Sequence, residues 1–129
     1  MKVLFIEDDP MNRRVVRDML SVVGAEMAEA PEAETGLTMI GDNDYDVILM
    51  DLRMAGMDGL TAIRLLRARD DAKRSLPVIV VTADTAVDIC RDCMDQGADE
   101  VILKPVAMNK LFDAIGRLIA RGSTSMLLN

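Results

Sequence analysis

The chain has 129 residues, half of them apolar and 29% charged, which suits one globular domain with a single sizeable core. A formal net charge of −7 without any basic stripe argues against nonspecific nucleic-acid binding, though not against a basic patch on a protein partner. No run approaches the ~18 apolar residues of a membrane span, and no apolar signal core follows Met1-Lys2, so a cytoplasmic protein is expected.

The first apolar run, Val3-Leu4-Phe5-Ile6, ends in Glu7-Asp8-Asp9 and predicts a strand near 2–7. Asp9-Pro10 then fits the N-cap and first position of a helix at 10–23. Glu26–Ala30 is the least apolar strand, which suits a sheet edge, and a helix follows near 32–41. Val47-Ile48-Leu49-Met50 leads into Asp51, predicting a strand at 46–51, and Asp58-Gly59 can cap a helix at 59–70. Val78-Ile79-Val80-Val81 ends at Thr82 (strand 77–82), with a helix at 85–96. Val101-Ile102-Leu103 ends at Lys104-Pro105 (strand 100–103).

The last helix, 107–121, carries an apolar stripe of Met108, Leu111, Phe112, Ile115, Leu118 and Ile119. Arg117 and Arg121 fall where a helix C-terminus favours positive charge. Residues 1–121 form the expected domain. The tail 122–129 reads as a frayed end whose Met126-Leu127-Leu128 could pack on a neighbour. Met1 directly before the first strand favours a natural start.

Strands alternating with helices imply right-handed crossovers and a doubly wound parallel α/β sheet covered on both faces. In such sheets ligands gather outside the carboxyl ends of the strands. Glu7, Asp8, Asp9, Asp51, Thr82 and Lys104 all stand there. Carboxylates about 4 Å apart repel by roughly 4 kcal/mol at an effective dielectric near 20, so the cluster needs a cation or a raised pKa. Oxygen ligands without imidazole or thiolate favour Mg²⁺, with Mn²⁺ possible, and magnesium commonly keeps substrate phosphate oxygens among its ligands. An ammonium and a hydroxyl beside a carboxylate nucleophile suit formation of an aspartyl phosphate. Cys90 and Cys93 lie inside a helical segment rather than just after a strand. With no histidine in the chain they read as two small side chains, neither a redox pair nor a zinc site.

With these motifs assembled, the sequence resembles a receiver domain of the bacterial response regulators over residues 2–121. The matching segments are Ile6-Glu7-Asp8-Asp9, Asp51-Leu52-Arg53-Met54-Ala55-Gly56-Met57-Asp58-Gly59, Thr82-Ala83 and Lys104-Pro105. The intervals also match: 43 residues from Asp8 to Asp51, 31 to Thr82 and 22 to Lys104. The resemblance implies a flavodoxin-like fold of five strands in the order 2-1-3-4-5 with five helices.

It further implies that Asp51 is the phosphoacceptor. Mg²⁺ would be held by Asp8 and Asp51 directly, by Glu7 through water and by the Arg53 backbone carbonyl, and Asp9 is left as a helix cap. Thr82 and Lys104 would contact the phosphoryl group, and the Lys104–Pro105 peptide would be cis. Arg53 and Asp84 hold positions that tune dephosphorylation in the family. The implied donor is a sensor histidine kinase or a histidine phosphotransfer protein docking beside the first helix. The implied output is a switched face of helix 4, strand 5 and helix 5 that binds a protein target or relays phosphate, with neither nucleic acid nor membrane as partner. Asp8-Asp9-Pro10-Met11-Asn12 resembles receivers of multistep relays.

Two departures stand out. Ala55 replaces the family's usual proline, and Val101 replaces the usual aromatic three residues before the lysine. Thr82 is therefore expected to act through repacking around Ile102, Val106 and the fourth helix. A stand-alone receiver is expected, the alternatives being a module of a hybrid histidine kinase or a phosphorylation-independent scaffold. A dehalogenase-type phosphatase would need an acid where Arg53 stands. A flavin or nucleotide site would need a glycine-rich loop in place of the acidic one. The chain is thus expected not to be an enzyme, beyond autodephosphorylation.

Overall fold

The structure, a computed structural model, describes the backbone of residues 1–128 and the side chains of residues 1–121. The elements in chain order are β1 (Lys2–Ile6), α1 (Pro10–Ser21), β2 (Glu26–Ala30), α2 (Ala33–Asp42), β3 (Val47–Asp51) and α3 (Gly59–Arg67). A 3-10 turn at Ala72–Ser75 follows, then β4 (Val78–Thr82), α4 (Ile89–Gln96), β5 (Glu100–Leu103) and α5 (Met108–Leu128). All neighbouring strands pair in parallel in the order β2-β1-β3-β4-β5, which is the expected sheet.

Alternation along β1 distributes the core. Leu4 and Ile6 face a cluster closed by Ile40 of α2, Ile63 and Leu66 of α3 and Cys93 of α4. Val3 and Phe5 face the other cluster, with Val16 and Leu20 of α1 and Leu111, Ile115 and Leu118 of α5. β3 and β4 are buried along their whole length, so their runs are apolar without alternation until Asp51 and Thr82. β2 lies at the edge, as its composition predicts.

Two glycines allow close approach. A Cβ on Gly36 would lie 2.3 Å from Ile6 Cδ1, and one on Gly59 would lie 2.6 Å from the Asp51 carbonyl oxygen. Arg67, at the end of α3, fans into the far half of the molecule. Its Nε donates to the Gly97 carbonyl (2.9 Å), Nη1 to the carbonyls of Arg74 (2.7 Å) and Leu76 (2.8 Å), and Nη2 to Asp99 Oδ2 (3.1 Å).

The sequence places several boundaries differently. α4 begins at Ile89 instead of 85, because the Asp84 carboxylate caps the Ala86 N–H at 2.9 Å and holds the preceding residues in a turn. α3 stops at Arg67 instead of 70. α5 continues to Leu128 rather than fraying after 121. No proline interrupts it, and each of its two glycines, Gly116 and Gly122, costs only about 1 kcal/mol relative to alanine. Arg117 and Arg121 are therefore not at a helix terminus. They pair with Glu100 (3.1 Å) and Asp99 (3.3 Å) around β5. Met108 and Ile119 of the predicted stripe are exposed. The packing expected of Met126, Leu127 and Leu128 lies outside the described side chains.

Candidate functional site

The site forms where β1, β3, β4 and β5 end. Register sets Met50 of β3 beside Ile6 of β1, so Glu7 and Asp51 emerge side by side. On the other flank Asp51 is level with Val81, and Thr82 is level with Leu103, which delivers Lys104 to the same edge. The Lys104 N–H donates to the Thr82 carbonyl at 2.8 Å, and the Lys104–Pro105 peptide is cis, as the resemblance implies.

Glu7 is fully buried, Asp51 is 5% exposed and Thr82 is 1% exposed. Asp8 stands at the exposed rim. Glu7, Asp8 and Asp51 each offer a carboxylate oxygen, all within 4.8 Å of one another. Lys104 Nζ lies 2.7 Å from Glu7 Oε1 and 3.5 Å from Asp51 Oδ1. One ammonium thus faces two buried acids.

The electrostatics follow. Burial, then the Asp51 carboxylate, raises the Glu7 carboxyl above its ordinary range, against the opposing pull of Lys104 and Asn12. Burial alone would lower the Lys104 ammonium. Its hydrogen bond to Glu7 and the charges of Asp51 and Glu7 outweigh that and raise it. Glu7 Oε2 is buried with no hydrogen-bond partner among the described residues. A fully buried, unpartnered carboxylate oxygen beside two further carboxylates fits a hard divalent cation, and the donor set is oxygen only.

The loops complete the mouth. The Arg53 N–H approaches Asp51 Oδ1 at 3.4 Å, and the Gly59 N–H donates to the Leu52 carbonyl at 3.1 Å, seating the start of α3 behind Asp51. Asp9 caps α1 by accepting from the Met11 N–H (2.9 Å), and Asp58 caps α3 by accepting from the Thr61 N–H (2.8 Å), both as expected.

A family model described as "Response regulator receiver domain" matches residues 3–116. Chemotaxis protein CheY of Pseudomonas aeruginosa is 30% identical, covering 94% of this chain and 98% of that protein. The chain belongs to the response regulator receiver domain family. The Sensory/regulatory protein RpfC of Xanthomonas campestris pv. campestris is 34% identical over 92% of the chain, which spans only 16% of that protein's length. Among solved structures, the receiver domain of sensor histidine kinase PA1611 from Pseudomonas aeruginosa superposes with a TM-score of 0.84 at 28% identity. That match covers 92% of this chain and 97% of that one, which carries a magnesium ion coordinated in the active site cleft. A response regulator receiver protein from Pseudomonas putida gives 0.82 at 31% identity, covering 90% and 95%. The chain is a receiver domain of two-component signal transduction.

Arg53 and Asp84 bridge the mouth of the site with an ion pair of 2.7 Å. The Ala86 N–H, then Arg53, hold the Asp84 carboxyl below its ordinary range. The Asp84 N–H in turn donates to Thr82 Oγ1 at 3.0 Å. Val101 is half-buried beside Val80 and packs on the α2–α4 side of the sheet, whereas Ile102 is buried and Val106 packs on the α1–α5 side. Cys90 and Cys93 are free thiols on α4, one exposed and one buried.

Asn12 and Arg13 were not singled out by sequence as site residues. Asn12 Nδ2 donates to Glu7 Oε1 at 2.8 Å, and Arg13 Nη1 donates to the Glu7 carbonyl at 2.6 Å. Their signal was positional: both lie in the first turn of a helix that starts at the acidic strand end.

Proposed function

We propose that Asp51 accepts a phosphoryl group from a phosphohistidine donor and that Mg²⁺ supports the transfer. The observation that carries this reading is the convergence of Glu7, Asp8, Asp51 and Lys104 on one strand edge. Asp8 and Asp51 would hold the cation directly, Glu7 through water, and Arg53 through its backbone carbonyl. When bound, the cation neutralises charge on phosphoryl oxygens.

The chain's own residues supply the rest. An Asp51 carboxylate oxygen bonds to phosphorus as the nitrogen–phosphorus bond of the donor breaks, and the electron pair stays on the imidazole nitrogen, which takes a proton. Lys104, already 3.5 Å from Asp51, can transfer its ammonium from Glu7 to a phosphoryl oxygen. Thr82 Oγ1 accepts from the Asp84 N–H and keeps its own hydroxyl proton to donate to the phosphoryl group.

The donor is a sensor histidine kinase or a histidine phosphotransfer protein. The output is binding of a protein target, or onward relay, through α4, β5 and α5. Residues 1–121 act as the receiver unit. Autodephosphorylation is the only turnover assigned, and the site of action is the cytoplasm. Among the described residues no helix is long and apolar enough to cross a membrane. The likeness to the receiver domain of sensor histidine kinase PA1611 favours a second reading, a module of a hybrid kinase.

Intact mass after treatment with acetyl phosphate and Mg²⁺ tests the proposal. The wild type should gain one phosphoryl group, while Asp51→Asn and an EDTA-treated sample should gain none. Uptake by Asp51→Asn equal to wild type would remove Asp51 from the role.

A further inference from the structure

The two carboxylate oxygens of Glu7 are treated unequally. Oε1 accepts from Lys104 Nζ at 2.7 Å and from Asn12 Nδ2 at 2.8 Å, which occupies both of its lone pairs. Oε2 is buried and has no hydrogen-bond partner among the described residues. The terminal torsion of a glutamate is broad and roughly two-fold, so the backbone does not decide which oxygen faces the acid cluster.

Lys104 is a poor candidate for that decision. Its ammonium is shared with Asp51 and is the group that a phosphoryl oxygen would draw away. Among the described residues Asn12 has no such competing acid, its amide donating to Glu7 alone. It sits in the first turn of α1, whose start is fixed by the Asp9 carboxylate accepting from the Met11 N–H. From the same turn Arg13 holds the Glu7 carbonyl. One helical turn therefore grips both the backbone and the side chain of Glu7.

We infer that Asn12 is a positioning residue of the cation site. Its amide engages Glu7 Oε1 and so leaves Oε2 as the oxygen offered to a divalent cation or to a water on it, including when Lys104 has moved to the phosphoryl group. The inference rests on the proposal that the cation binds among Glu7, Asp8 and Asp51.

Asn12→Leu keeps the side-chain size and removes the donor. Magnesium affinity of the metal-free protein, measured by titration calorimetry with no phosphodonor present, reads the effect. Melting in EDTA and far-ultraviolet circular dichroism report the fold. The dissociation constant should rise roughly 10-fold, as loss of a hydrogen-bond partner to a metal ligand typically causes, and Asn12→Gln should recover part of it. A leucine variant that binds Mg²⁺ within about twofold of wild type would overturn the inference while leaving the cation site intact. A wild type that binds no Mg²⁺ would overturn both. Should the leucine variant fail to fold, the Asn12 side-chain amide in wild-type spectra gives the answer. Slow solvent exchange with and without Mg²⁺ supports the role, and exchange as fast as that of a free asparagine removes it.

Discussion

Glu7 concentrates the conflict at this site. Its raised carboxyl binds a proton more tightly in the folded chain than in the unfolded one, so its contribution to stability is complete below the ordinary carboxylate pKa and is lost as pH rises through the raised value. Glu7→Gln lacks that titration. In EDTA, the melting temperature of the variant minus that of wild type should therefore grow as pH climbs from about 4.3, the ordinary glutamate value, toward neutrality. The Lys104 ammonium is raised and titrates far above this window, so losing its partner adds only a constant offset. Saturating Mg²⁺ should narrow the difference. A difference that stayed flat with pH would mean that Glu7 titrates as an ordinary acid. The identity of this residue was legible from its place at a strand end. Its full burial and its two donors were not, because they depend on how α1 and β5 fold over it.

Between elements, contact distance decides. Gly36 of α2 passes so close to Ile6 that an added Cβ would meet Cδ1 at 2.3 Å and Cγ1 at 2.6 Å, and Ile6 is fully buried with little room to turn. Alanine improves helix propensity by about 1 kcal/mol, whereas overpacking a tight core costs about 1–3 kcal/mol. Gly36→Ala should accordingly lower stability by roughly 1 kcal/mol in urea unfolding, against the propensity trend. A more stable variant would show that Ile6 can repack. The strands were legible because buried parallel strands are apolar runs ended by polar residues, and β2 stood out as an edge by its glutamates. The late start of α4 was not legible. It depends on the Asp84 carboxylate capping Ala86, one of several uses open to an aspartate in a loop. The length of α5 was hidden because Gly122, a residue that often ends helices, here does not.

At the scale of the whole molecule, the unphosphorylated mouth is held by a chain of contacts from Arg53 to Asp84 to Thr82. A phosphoryl dianion on Asp51 would compete with Asp84 for Arg53 and would draw the Thr82 hydroxyl, which accepts from the Asp84 N–H, toward itself as a donor. The ion pair is open to solvent, so its exchange needs little driving force. With Val101 in place of a ring, the rearrangement should run through Ile102, Val106 and α4. Amide spectra with acetyl phosphate and Mg²⁺ should then shift across residues 83–109, and those of Asp51→Asn should not. Shifts confined to the immediate neighbours of Asp51 would leave phosphorylation without an output on this face.

The fan of bonds from Arg67 bears on how that output face breathes. One guanidinium joins the end of α3 to the turns before β4 and after α4 and to the start of β5, far from the phosphoryl chemistry. These segments can separate only if several charge-assisted bonds break together, which makes them a single cooperative unit of local opening. A lysine there would present a compact ammonium in place of a planar fork, and the unit would split into independently fraying pieces. The effect of replacing Arg67 should therefore show in native-state hydrogen exchange of these segments rather than in phosphoryl transfer to Asp51.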